Sequence, residues 1–137
     1  MELKRVSFEV RDSELDVQGR VNNANYFHYL EHARHQGLKA IGCSFSKLAA
    51  EKQYAVLLST SVEFKQPLLP EEQFFVDTKL VPHSKIRFAF KQEIRKKADD
   101  SLVLTAENIC VFIDGNNNNR PYMPFFIKQC LDRESSS

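Results

Sequence analysis

Leu15-Asp16-Val17-Gln18-Gly19-Arg20-Val21-Asn22-Asn23-Ala24-Asn25-Tyr26 runs without a break into Phe27-His28-Tyr29-Leu30-Glu31-His32-Ala33-Arg34. An acid, a glycine and a pair of asparagines stand directly ahead of the longest helical pattern in the chain. From Asn23 to about Ile41, apolar residues recur at helical spacing, at Tyr26, Phe27, Leu30, Ala33, Gly37, Leu38 and Ile41. His28, His32, His35 and Lys39 share another stripe, so one long helix with a dry and a wet face is expected. Asparagine is a favoured N-cap and Gly42 a favoured C-cap, which marks both ends. A short second helix is expected from Ser44 or Phe45 to about Lys52.

Outward from this helix the period becomes two. Upstream, Val6, Phe8 and Val10 alternate with Arg5, Ser7 and Glu9, which predicts a half-buried strand over Leu3 to Val10. Downstream, Val56, Leu58, Thr60, Val62 and Phe64 alternate with Leu57, Ser59, Ser61 and Glu63 until Pro67 and Pro70 stop the strand. Phe74, Val76, Thr78 and Leu80 mark the next strand, and Ile86, Phe88, Phe90 and Ile94 the one after. Leu102 to Ile113 closes with an unbroken apolar run from Ile109, as expected of a central strand covered on both faces. Gly115 to Asn119 has loop composition, Pro124 can open a short terminal helix, and Ser135 to Ser137 read as a disordered tail. Residues 1–134 therefore read as a single domain. Short connections without a crossover helix mean antiparallel neighbours. The expected class is α+β: a five-stranded antiparallel sheet wrapped around one long helix. Its open edges call for a second copy, so a homodimer is the physical expectation.

Composition narrows the function classes. A chain of 137 residues, 42% hydrophobic and 27% charged, fits one domain that buries roughly 70% of its unfolded surface. A formal net charge of +1 argues against nucleic-acid binding, which needs a cationic excess. There is no apolar run near 18 residues to span a membrane, and the first residues lack the plan of a signal peptide, so cytoplasmic residence is expected. Cys43, Cys110 and Cys130 are widely spaced and form no C-x-x-C, which reads as reduced, mostly buried thiols. His28, His32 and His35 share a helix face, but no cysteine or carboxylate at matching spacing completes a metal set. No metal and no cofactor are expected.

The chemistry concentrates at the helix start. Free N–H groups and the positive end of the helix dipole favour negative charge developing on oxygen. The Gly19 turn can fold the Asp16 carboxylate back onto the same spot. The competing reading of Asp16 is a cap, because Ser13-Glu14-Leu15-Asp16 fits the S-x-x-D box.

Asp16-x-x-Gly19-x-Val21-Asn22-Asn23-Ala24-x-Tyr26-x-x-Tyr29-x-Glu31-x-Ala33-Arg34, with the order strand, helix, four antiparallel strands, resembles the hot-dog thioesterases of the 4-hydroxybenzoyl-CoA thioesterase and YbgC type. The likeness runs from Val6 to about Pro124. It implies that Asp16 is nucleophile or general base on an acyl-CoA or acyl-carrier-protein thioester, and that the Asn23 N–H stabilises the oxyanion. One such donor is worth about 3 kcal/mol, or a hundredfold in rate. Asn22, Tyr26 and Glu31 fall at the substrate by the same likeness, with Glu31 also a rival base. The Asn-Asn-Ala and Ala-Arg segments are similar to enediyne polyketide thioesterases, where an arginine in Arg34's place takes part in the site; a salt bridge from Arg34 to Glu31 or Glu14 is the alternative. Plant acyl-lipid thioesterases share the helix pattern, which brings a fatty acyl substrate into view. Lys85 matches the basic residues that such families present to the nucleotide of coenzyme A, against an ordinary outward position. Ser59 and Thr60 can order a water across a dimer interface, or be ordinary strand hydroxyls. A dimer or a tetramer of two dimers is implied, with sites between subunits. A hot-dog dehydratase needs a loop-helix histidine signature that this chain lacks. A non-catalytic acyl-binding module and a structural interaction protein are the other classes, told apart by thiol release and by a pocket beside Asp16.

Overall fold

A strand with one apolar face is stable only when its backbone is paired and that face is covered, and this chain meets both needs with one sheet and one helix. The computed structural model describes residues 1–135. Its strands are β1 (Val6–Glu9), β2 (Gln53–Phe64), β3 (Gln73–Pro82), β4 (Arg87–Lys96), β5 (Leu102–Asp114) and β6 (Arg120–Tyr122). Its helices are α1 (Asn23–Ala40), α2 (Phe45–Ala50) and α3 (Phe125–Ser135). Neighbours in the sheet run β1-β3-β4-β5-β2, all antiparallel, and β6 adds a short pairing to β5. The expected α+β hot-dog arrangement is the one adopted.

Helix α1 lies along the inner face of the sheet with Tyr26, Tyr29, Leu30, Ala33 and Leu38 buried. Gly37 sits within this helix because a Cβ there would come 2.9 Å from Leu3 Cβ, so the N-terminal segment crosses the helix too closely for a side chain. The inner face divides into two apolar clusters. One joins Tyr26, Tyr29 and Leu30 to Phe74, Ile94 and Leu104. The other joins Leu38 to Leu80, Phe88, Phe90, Phe112 and Ile127.

Four details differ from the sequence-based expectation. The Gly115 to Asn119 turn, with Asn118 and Asn119 in the left-handed region, returns the chain as a sixth strand, β6. Between Leu57 and Ser59 the register of β2 against β5 shifts, a bulge at Leu58 that reverses the alternation. Ala55 and Leu57 therefore share a face with Thr60, Val62 and Phe64, through their pairing with Phe112, Cys110, Asn108, Ala106 and Leu104. Strand β5 is interior, with β4 and β2 on its two sides, while β4 holds the middle of the order. Finally, α3 runs to Ser135, and the rest of the expected tail, Ser136 and Ser137, lies outside the described residues.

Candidate active site

The segment before α1 is a tight hairpin. Leu15 and Val21 form an antiparallel bridge, the Asp16 N–H donates to Arg20 O at 2.7 Å, and the Gly19 N–H donates to Asp16 O at 3.1 Å. Gly19 has φ of +74°, and a Cβ there would meet nothing within 4 Å, so the demand for glycine is purely conformational. Gly19→Ala is expected to lower stability by about 1–2 kcal/mol, read as a lower urea midpoint with unchanged slope.

Asp16 does not cap a helical turn. Its Oδ1 accepts from the N–H groups of Gln18 at 2.8 Å and Arg20 at 3.1 Å, so the hairpin fixes its own carboxylate. Oδ2 takes no hydrogen bond among the described residues. The capping-box acid of the preceding one-turn 3-10 helix, Asp12–Glu14, is Glu14 instead: the N-cap is Arg11, and Glu14 Oε1 accepts the Arg11 N–H at 2.8 Å. The carbonyl of Glu14 accepts from the Asn22 N–H at 2.9 Å and from Asn25 Nδ2 at 3.0 Å, which ties the hairpin to the start of α1.

Asn22 is the N-cap of α1, its Oδ1 accepting from the Ala24 N–H at 3.0 Å. The Asn25 N–H donates to Asn22 O at 2.9 Å. The Asn23 N–H is left without an acceptor among the described residues. Asp16, Asn23, Tyr26, Phe64 and Gln66 line one cleft of about 310 Å³. The Tyr26 hydroxyl is spent on the Leu68 N–H, accepted at 2.9 Å, and its ring meets Phe64 edge-on at 5.3 Å. Burial pushes the Tyr26 phenol above its usual pKa, so the hydroxyl stays protonated. A larger cavity of about 540 Å³ lies between α2 and α3, beside Cys43 and Cys130. Burial pushes the Cys43 thiol up to about 11, so it offers no nucleophile at neutral pH.

The remaining expected residues lie elsewhere in the protomer. Arg34 is about 16 Å along the axis of α1 from Asn23 and does not line the cleft. It pairs with neither Glu31 nor Glu14; its Nη1 donates to Gln92 Oε1 at 3.0 Å, and burial pulls its pKa below the usual arginine value. Glu31 is exposed on α1. Thr60 donates to Asn108 Oδ1 at 2.5 Å, inside its own sheet, while Ser59 is exposed beside the bulge. Lys85 is exposed in the turn joining β3 to β4, at the end of the sheet away from Asp16. The helix histidines make ring contacts, His32 with Phe8 and His35 with Phe45.

Residues 10–131 match the model of the thioesterase-like superfamily. The chain belongs to the thioesterase-like superfamily. Two curated plant relatives, the chloroplastic acyl-acyl carrier protein thioesterases ATL3 and ATL2 of Arabidopsis thaliana, are 33% and 32% identical to it over 88% and 85% of its length. The chain spans about three-fifths of those relatives, 62% and 61% of their lengths. Among solved structures, a 1,4-dihydroxy-2-naphthoyl-CoA thioesterase from Synechocystis superposes with a TM-score of 0.85 over 94% of this chain and 93% of that one. At 17% identity, that likeness is one of fold.

Two features of this superfamily member escape sequence reading. The first is Glu14, buried at the hinge between hairpin and helix. Burial works to raise its pKa, but the Arg11 N–H, the Tyr29 hydroxyl and the Arg11 guanidinium outweigh it and hold the carboxyl below its usual value. The Tyr29 hydroxyl is buried without a hydrogen bond of standard geometry, so its help to Glu14 is electrostatic. A depressed folded pKa gives stability that is present above the unfolded value of about 4.3 and fades as pH falls through the folded value. Glu14→Gln is therefore expected to lower the melting temperature at pH 7, with the gap to wild type closing below about pH 4. The second is a row of buried polar side chains, Thr78, Gln92 and Asn108, on the inner face. Its signal was a polar residue at an inward position of an otherwise apolar alternation.

Proposed function

We propose that this chain hydrolyses an acyl thioester to a free acid and a thiol in the cleft that Asp16 and the Asn23 N–H share. The observation that carries this reading is their union: one carboxylate with an unengaged oxygen and one backbone donor with no acceptor line the same cleft, walled by Tyr26 and Phe64. An acyl carbonyl whose oxygen lies at the Asn23 N–H gains stabilisation as negative charge builds on that oxygen. Asp16 either attacks the carbonyl carbon itself or takes a proton from the water that does. In both cases the carbon–sulfur bond breaks, the electron pair leaves with sulfur, and the thiolate gains a proton; on the nucleophilic route a water then hydrolyses the Asp16 acyl anhydride, releasing the free acid and restoring the carboxylate. Asn22 holds the helix start so that its neighbour's donor stays free.

The substrate is an acyl-CoA or an acyl-carrier-protein thioester. Relatives named for each carrier, the Arabidopsis enzymes and the Synechocystis enzyme, support keeping both. The protein acts as a homodimer or as a tetramer of two dimers, in the cytoplasm. Among the described residues strand β2 pairs only with β5, so its outer edge is open for twelve residues, and Tyr54, Leu57, Leu58 and Phe64 are exposed along it. Antiparallel pairing of two such edges sets the Phe64 end of one protomer beside the Gln53 end of the other. That places the partner's loop bearing the counterpart of Lys85 toward the Asp16 cleft, where a cation suits the phosphates of coenzyme A. Ser59 and Thr60 fall near the middle of that seam, and Arg34 and Glu31, outside the Asp16 cleft of their own protomer, meet the part of the substrate that extends beyond it along α1. Among the described residues no helix is long and apolar enough to cross a membrane. A panel of short, medium, long and aromatic acyl-CoAs, run with one acyl-carrier-protein substrate and a thiol reagent, tests this function. Thiol release from at least one member is expected.

A further inference from the structure

The two apolar clusters part at one level of the sheet, and four strands place a polar side chain there. Thr78 on β3, Gln92 on β4 and Asn108 on β5 are each 1% exposed, and Thr60 on β2 completes the row at the open edge. The hydrogen bonds leave neither amide a choice of orientation. Gln92 Nε2 donates to Leu30 O at 2.9 Å and to Thr78 Oγ1 at 3.0 Å. Asn108 Nδ2 donates to Gln92 Oε1 at 3.0 Å and to Phe90 O at 3.4 Å, while its Oδ1 accepts from Thr60. Flipping Gln92 would set its Nε2 against the donors Arg34 Nη1 and Asn108 Nδ2, and flipping Asn108 would set its Oδ1 against the acceptors Phe90 O and Gln92 Oε1. Gln92 Oε1 is therefore held toward α1, where Arg34 Nη1 meets it at 3.0 Å.

Arg34 is the one charged member of this group, and its partner is neutral. No carboxylate forms a salt bridge with it among the described residues, and its other N–H groups take no acceptor there. A cation half withdrawn from water, whose other donors meet no acceptor of the described residues, is able to take an oxygen acceptor from a bound molecule. A fully satisfied polar row earns its place in an apolar core by holding something in one position. An acid at position 92 would pair with Arg34 and occupy it; the amide steadies the guanidinium and leaves it free.

We propose that Gln92, backed by Asn108 and Thr60, is a positioning residue that holds Arg34 ready for an oxygen acceptor of the bound acyl thioester. This rests on the thioester reading above. Arg34 touches the substrate, and the row acts through Arg34.

A double-mutant cycle tests it. Thiol release from decanoyl-CoA and benzoyl-CoA is measured for wild type, Arg34→Met, Gln92→Glu, Thr60→Val, and Arg34→Met combined with each of the other two. The same proteins are titrated with a non-hydrolysable decanoyl-CoA thioether. Arg34→Met and Gln92→Glu are each expected to raise KM and the thioether Kd by about ten- to hundredfold with kcat little changed, and Thr60→Val by about threefold. With Arg34 already replaced, Gln92→Glu and Thr60→Val should each change these constants by less than about twofold. Losses that persist in full without Arg34, or wild-type constants for Arg34→Met, overturn the proposal. Thr60→Val is isosteric and lies at the exposed end of the row, so it decides the question if Gln92→Glu does not fold. Failure of hydrolysis reads separately: a wild type that binds the thioether with this coupling but releases no thiol contradicts the hydrolase and leaves the positioning role standing.

Discussion

Asp16→Asn is expected to lower kcat for thioester hydrolysis by about 10²–10⁴-fold and to leave the melting temperature within a few degrees of wild type. The separation follows from what Oδ1 already does. It accepts the Gln18 and Arg20 N–H groups, and the amide oxygen of asparagine accepts the same pair, so the hairpin keeps its closure. The replacement removes only the charge and the second oxygen, which are the parts that attack carbon or take a proton from water. Wild-type turnover in Asp16→Asn would contradict the assignment. A large fall in melting temperature would instead show that the carboxylate is structural.

Leu57→Asp together with Leu58→Asp is expected to convert the protein to a monomer at micromolar concentration and to lower kcat/KM by at least about tenfold. Both leucines are about half exposed, 50% and 44%, on the edge strand β2. Leu58 is the bulged residue and Leu57 its neighbour, near the middle of the strand, so in a two-fold seam each acid lies close to its own copy, and like charges there repel. Activity should fall with assembly, because in the proposed dimer the loop carrying Lys85 completes the cleft of the other protomer. Sedimentation equilibrium reads the assembly and thiol release reads the activity. A wild type that is monomeric, or a fully active monomeric variant, would contradict the shared site.

Much of the fold was legible because its signals are local and repeated. The stripe from Tyr26 to Leu38, an asparagine cap and three inward alternations, such as Phe74, Val76, Thr78 and Leu80, each follow from one-dimensional periodicity. The bulge in β2 was not legible, because Leu58 directly follows Leu57 and either phase keeps an apolar residue inside. The sixth strand was hidden by its length, Arg120–Tyr122, which leaves no alternation to read.

The site divides the same way. Asp16, Gly19 and the asparagine pair are close in sequence, so a hairpin and a helix start suffice to bring them together. Arg34 is different. Charge spacing on a helix points to Glu31, one turn back, whereas its actual partner is Gln92, 58 positions away on another strand. Gln92 interrupts an alternation between Phe90 and Ile94 and looks like a gap in a pattern until the sheet register sets it level with Thr78 and beside Asn108. The capping role assigned by local rules to Asp16 belongs to Glu14, two residues earlier in the chain, whose carboxylate takes the Arg11 N–H, while Asp16 closes the hairpin and lines the cleft.

The central claim is that the Asp16 and Asn23 cleft breaks a thioester bond, and thiol release by the wild-type protein measures that directly. Across short, medium, long and aromatic acyl-CoAs and one acyl-carrier-protein thioester, at least one substrate should yield free thiol and free acid in equal amounts, with release lost in Asp16→Asn. Tight binding of these thioesters by the wild-type protein with no thiol released from any of them would contradict it.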